Sequence, residues 1–246
     1  MIMAAFGAES TRLSQIVTDV DDASFTHPSP CAPWTAGELL FHVQMTMERL
    51  DVMLAEPEPD GSGLVTAAGY YRADRRFSAD ANAERIASAQ RGAACLPGAA
   101  AYPPGAATAL PDVAVVSPSA AARADAFRQA RYRIWSLLQT VPPGRIVRTR
   151  HGDRMPLTEF LRTRVLELAV HGLDLAAALD RPPWMTAAAA EVVEQLLLPD
   201  EDATRLRSAT GWDQLTLIAK LTGRTPATPA QTRLIDSLGV RPLAFG

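Results

Sequence analysis

Residues 159–179 form the most strongly patterned stretch of the chain, with Phe160, Val165, Leu168, Leu175 and Leu179 apolar at helical spacing until RPP ends the run. A helix of this length commits the chain to covering a long apolar face with other helices. It also carries Glu167 and His171 four residues apart, so their side chains emerge on one face about a turn from each other. Thr158 is the expected cap of this helix.

Other segments supply the partners. Leu13, Ile16, Val17 and Val20 predict an amphipathic helix over residues 8–23. Thr35 and Glu38 make a capping box, and Trp34 is placed to pack on Leu39 as a hydrophobic staple. A helix therefore starts at about Ala36 and carries Leu39, Leu40, Val43, Met47 and Leu50 toward the EPEPDGSG loop. The stretch from Tyr70 to Gly92 reads as helical, anchored by Tyr70, Tyr71 and Phe77, and is followed by an irregular Ala/Pro/Gly-rich insert over 96–118. Helices are further predicted over 120–138, 187–198, 212–221 (stopped by Gly223) and 229–238. RIVRTRHGDRMPL, turning at His151, Gly152 and Asp153, predicts a short β-hairpin. The expected fold is mainly α: a helical bundle over 1–183, then a small helical extension over 184–246.

At 246 residues the chain can bury a core without staples. A net charge of -3 with no basic stripe argues against a nucleic-acid partner, and no apolar run suits a membrane. Two cysteines, Cys31 and Cys95, and a start unlike a secretory signal lead us to expect a reducing, cytoplasmic setting. Nucleotide-binding glycine motifs, HExxH, CxxC and G-x-S-x-G are absent from the sequence.

His42 lies among Leu39, Leu40 and Val43, where an imidazole without a partner would lose hydration uncompensated. It is either a core histidine bonded to a carbonyl or to a carboxylate such as Glu48 or Asp174, or a metal ligand. With Glu167 and His171 it would complete a two-histidine, one-carboxylate set on two bundle helices, leaving coordination positions open for water or substrate. Asp174 is placed to fix the tautomer of a ligating histidine from behind, or else is a surface carboxylate. Arg224, after Gly223, is a candidate for binding a substrate carboxylate, its alternative being a helix-end dipole partner. Arg164 is expected in an ordinary ion pair, its alternative being to reach the same cavity; Cys31 is expected as a small filler without a neighbouring base; Tyr70 and Tyr71 are expected in the core, their alternative being to line a pocket. His27 and His151 are expected to be solvated.

The segments CAPWTAGELLFHV, RTRVLELAVHGLDLAAALDRPPW and KLTGR together resemble the mycothiol-dependent maleylpyruvate isomerase family, a branch of the DinB-like metalloenzymes. The resemblance implies a DinB-like four-helix bundle with zinc on His42, Glu167 and His171. It implies mycothiol as cosubstrate and a small electrophile as the other partner, and His42 and Arg224 are then the candidate catalytic residues. In the family the thiol adds to an electrophilic double bond, and rotation and expulsion give the isomer; other members transfer the thiol. The alternatives are a DinB-like metal-binding protein with a stress or interaction role and no turnover, or a hydrolase using zinc-bound water. The family's best-known isomerases carry a larger C-terminal domain than the tail here, and the substrate stays open. Such bundles occur as monomers or homodimers.

Overall fold

The computed structural model describes residues 1–71, 78–95, 118–142, 144–198, 200–238 and 240. The insert expected over 96–118, save its last residue, and the anchor Phe77 lie outside the described residues.

Four helices form the bundle: α1 (Ile2–Thr18), α2 (Ala36–Ala55), α5 (Ala120–Gln139) and α6 (Leu157–Ala178). Helix α1 packs on α5 and α6, and so does α2, so the four close into a ring around a common core. The core is built from side chains such as Phe6, Leu13, Leu39, Met47, Phe127, Ile134 and Phe160, all of them buried. Helices α1 and α5 approach closely at Gly7, where a Cβ would come within 2.7 Å of the Trp135 ring.

The capping box that sets the start of α2 is present: Thr35 Oγ1 accepts from the Glu38 amide, and the Glu38 carboxylate accepts from the Thr35 amide at 2.7 Å. Helix α1 begins earlier than its apolar spacing predicts, because Ala5 and Phe6 are also buried in the bundle. It ends at Thr18, and the Asp21 carboxylate accepts from the Ser24 amide to lead into a short 3-10 turn over Ser24–Thr26. Thr158 does not cap α6: the helix opens directly out of a strand at Leu157, with Pro156 at the cap position.

Two short helices follow α2, namely α3 (Ala67–Tyr70) and α4 (Ala79–Ala94), the latter lying against α2. The hairpin pairs β1 (Ile146–Arg148) with β2 (Arg154–Pro156), Val147 opposite Met155, and both of these side chains are buried. Gly152, at φ +86°, makes the turn. The C-terminal helices are α7 (Ala187–Leu197), α8 (Asp200–Thr210), α9 (Gln214–Leu221) and α10 (Pro229–Asp236). Helix α8 was not foreseen, because its composition is strongly polar and only Ala203 and Leu206 are buried. Helix α7 packs on α1 and α6, and its cap Thr186 is tied to α1 by Glu9, whose carboxylate accepts from the Thr186 amide and hydroxyl at 2.8 and 2.7 Å. Among the described residues no helix is long and apolar enough to cross a membrane.

Candidate metal centre and its cavity

Helix α6 is buried on nearly every side, yet it carries Arg164, Glu167, His171 and Asp174 at spacings of three, four and three, a polar stripe down one face. Across the bundle α2 presents His42, Thr46 and Arg49 at spacings of four and three. The two stripes meet around a narrow cavity of about 50 Å³ whose walls include His42, Arg49, Tyr71, Arg164, Glu167 and His171.

His42, Glu167 and His171 are brought together. Glu167 Oε2 lies 3.7 Å from His42 Nε2 and 3.4 Å from His171 Nε2, and the three candidate ligand atoms are all within 4.8 Å of one another. Ligands at metal distances of about 2.0–2.1 Å sit roughly 3.3 Å apart along a tetrahedral edge, so this donor set fits one small cation with little rearrangement. Glu48 is not the partner of His42; it pairs with Arg133 on the outside of the bundle.

Electrostatics support the fit. Burial is the main reason the His42 imidazole is pushed down to about 4, so it is neutral at pH 7 and its ring nitrogen can donate a lone pair. Burial alone would raise the Glu167 carboxyl, but hydrogen bonds with His171 and His42 outweigh it and hold the group well below the usual range. Burial would likewise lower His171, yet Asp174, Cys31 and Glu167 together keep it well above its ordinary value. The Nε2 edge of His171 facing Glu167 is therefore a place where positive charge is favoured, and a metal ion can take it in place of a proton.

Each candidate ligand is contacted from behind. Tyr71 donates its hydroxyl to Glu167 Oε1 at 2.8 Å and lies 3.1 Å from the Thr163 carbonyl. Trp34 stacks on the His42 ring at 4.6 Å between centroids, a contact that goes beyond the staple expected of it. His42 Nδ1 is buried without a partner among the described residues. Asp174 Oδ2 lies 3.0 Å from His171 Nδ1, and Asp174 is itself gripped by the Arg224 fork at 3.1 and 2.9 Å. Arg224 reaches it because α9 ends in a Schellman turn: Gly223 takes φ +75°, its amide bonds Lys220, and the Arg224 amide bonds the Ala219 carbonyl. Arg224 thus binds both Asp174 and the carbonyl of Thr222, the residue that ends α9, and is not among the described residues of the cavity wall.

Three expectations need correction. Cys31 is not an isolated filler, since its Sγ lies 3.1 Å from Asp174 Oδ2 and 3.8 Å from His171 Nδ1. Arg164 forms no ion pair among the described residues; it is buried, bonds the Thr46 carbonyl, and lies 4.6 Å over the Phe160 ring. His151 is half-buried and on the cavity wall beside Tyr70, because the hairpin folds its tip over the bundle. Tyr70 and Tyr71 are buried as expected but also line the cavity. His27 is exposed, with Nδ1 3.2 Å from the Ala178 carbonyl. Arg49, which sequence reasoning passed over, was detectable as the residue two turns beyond His42 on the same helix face.

Comparison with known proteins bears on this site. No curated protein of similar sequence was found. A solved structure described as the crystal structure of the mycothiol-dependent maleylpyruvate isomerase aligns with a TM-score of 0.45 and 16% identity, covering 78% of this chain and 66% of that one. A family model, the mycothiol maleylpyruvate isomerase N-terminal domain, matches residues 6–117, a span that includes His42 but ends before Glu167 and His171. Over residues 6–117 this chain is thus similar to the N-terminal domain of mycothiol maleylpyruvate isomerases.

Proposed function

We propose that this protein is a metal-dependent, mycothiol-using enzyme, an isomerase or thiol transferase acting on a small electrophile. The observation that carries this reading is the convergence of His42, Glu167 and His171 beside a cavity, in a chain whose residues 6–117 match the N-terminal domain of mycothiol maleylpyruvate isomerases. These three residues would hold one divalent ion, for which zinc suits two imidazoles and a carboxylate. Bound there, the ion supplies Lewis acidity that keeps a thiol, ordinarily of pKa about 8.5, deprotonated at neutral pH.

The remaining residues keep the donors in place. Asp174 fixes His171 with its Nδ1 turned inward, which leaves Nε2 for the ion. Arg224 acts through Asp174, and the turn that ends α9 delivers it there. Tyr71 holds the Glu167 carboxylate, while Trp34 and the bundle core keep bulk water from the His42 face. Both cysteines are free, which suits a cytoplasmic setting where low-molecular-weight thiols stay reduced.

The test is metal analysis and thiol-dependent turnover of chelator-free protein, with His42→Ala in parallel. The reading expects close to one ion per chain, lost in the variant together with consumption of mycothiol by electrophiles. Full metal retention by His42→Ala would remove its basis. Turnover without thiol would move the assignment to a hydrolase, and metal binding without turnover to a non-catalytic binding protein.

A further inference from the structure

Away from the three candidate ligands the cavity is lined by Arg49, Arg85, Arg150 and Arg164, and Glu167 is the one carboxylate among its described lining residues. Arg164 is anchored to Thr46 and Thr163. Arg49 differs: it is half-buried and makes no hydrogen bond or ion pair among the described residues. Arg150, from the hairpin tip, donates Nε to His151 at 3.1 Å and meets no carboxylate there. Burial first, and the charge of Arg150 second, push the Arg49 guanidinium down to about 10. A desolvated cation facing another cation is costly unless an anion lies between them. Guanidinium forks match carboxylate oxygens in pairs, which a lysine ammonium does not.

We propose that Arg49 and Arg150 form a carboxylate-binding site opening off the same cavity as His42, Glu167 and His171. The site stands on its own geometry; its assignment to an acidic group of the electrophile rests on the function proposed above. Arg49 would then set which electrophiles are accepted, by holding the acidic end while the reactive carbon faces the ligand cluster.

The probes are acetate and malonate, titrated into the full-length metal-loaded protein at constant ionic strength against chloride and followed by calorimetry and thermal midpoint. We expect saturable binding with a rise in Tm. Arg49→Met and Arg150→Met should each weaken it about tenfold or more, with part of the affinity kept by Arg49→Lys. In carboxylate-free buffer Arg49→Met should be no less thermostable than the parent, because it removes a half-buried charge that has no partner among the described residues; an arginine with a structural role would destabilise when replaced. Arg150 is exposed, so its variant tests the site without risk to the core. Binding that survives removal of the metal upholds the arginine site. Binding lost with the metal, equal affinity in all variants, or no saturable binding overturns it. Because these readouts need no turnover, arginine-dependent binding in a protein without thiol chemistry upholds the site while refuting the enzyme. Thiol chemistry without such binding does the reverse.

Discussion

Asp174 Oδ2 lies 3.0 Å from His171 Nδ1, three residues away on one buried helix, and this contact decides which edge of the imidazole faces Glu167. Removing the charge without changing the shape isolates that role. Asp174→Asn should keep the fold and the His42–Glu167–His171 cluster but weaken metal affinity about 10- to 100-fold, the usual cost of losing a carboxylate behind a ligating histidine. Competition against a chelator of known affinity measures this, and an unchanged constant would assign Asp174 to packing alone.

Tyr71 braces another candidate ligand, Glu167, through its hydroxyl. Tyr71→Phe leaves a buried, ionised carboxylate short of a donor, so it should cost about 2 kcal/mol of stability in the metal-free protein. The penalty should shrink when metal is bound, since the cation then compensates the same charge. Equal losses with and without metal would argue that Tyr71 only supports the helix.

Helix α4 seats on α2 through Gly92, where an added Cβ would occupy the space of the Phe41 ring. Gly92→Ala gains helix propensity but must displace that ring, and overpacking of this kind costs about 1–3 kcal/mol. We expect net destabilisation in denaturant melts, with Phe41→Leu in the same chain restoring part of it. A Gly92→Ala protein as stable as its parent would show that Phe41 moves freely.

Glu9 gives a pH dependence remote from the cavity. Burial raises its carboxyl above the usual range in spite of the Thr186 hydrogen bonds, so the folded chain holds this proton more tightly than the unfolded chain. Stability contributed by the protonated group is complete below the unfolded value of about 4.3 and is lost as pH rises through the raised folded value. Glu9→Gln has no such titration. Its stability relative to the parent should therefore improve from pH 4 toward pH 7, read as the difference in Tm across that range. A difference that does not vary with pH would show that Glu9 titrates alike in both states.

The bundle was legible because its helices announce themselves locally. The spacing of Leu39, Leu40, Val43 and Met47, the Thr35–Glu38 box, the His151–Gly152–Asp153 turn and the RPP stop each fix short-range geometry, and that is what periodicity and capping encode. Glu167 and His171 could be paired in the same way, since four residues along a helix is a local distance. Helix α8 escaped because a polar helix with two buried side chains leaves almost no periodic signal.

What the sequence determined by itself was therefore the set of bundle helices, their order, and which residues share a face on each. Only the tertiary structure decided what lies across from what: Trp34 on His42, Cys31 beside Asp174, the hairpin tip with Arg150 and His151 over the cavity, and Arg224 clasped to Asp174 from the far end of the chain. These contacts join elements that no pattern in the chain connects. They arise from how the helices close around the core, and a long-range juxtaposition of this kind is set by packing as a whole, not by the properties of either residue.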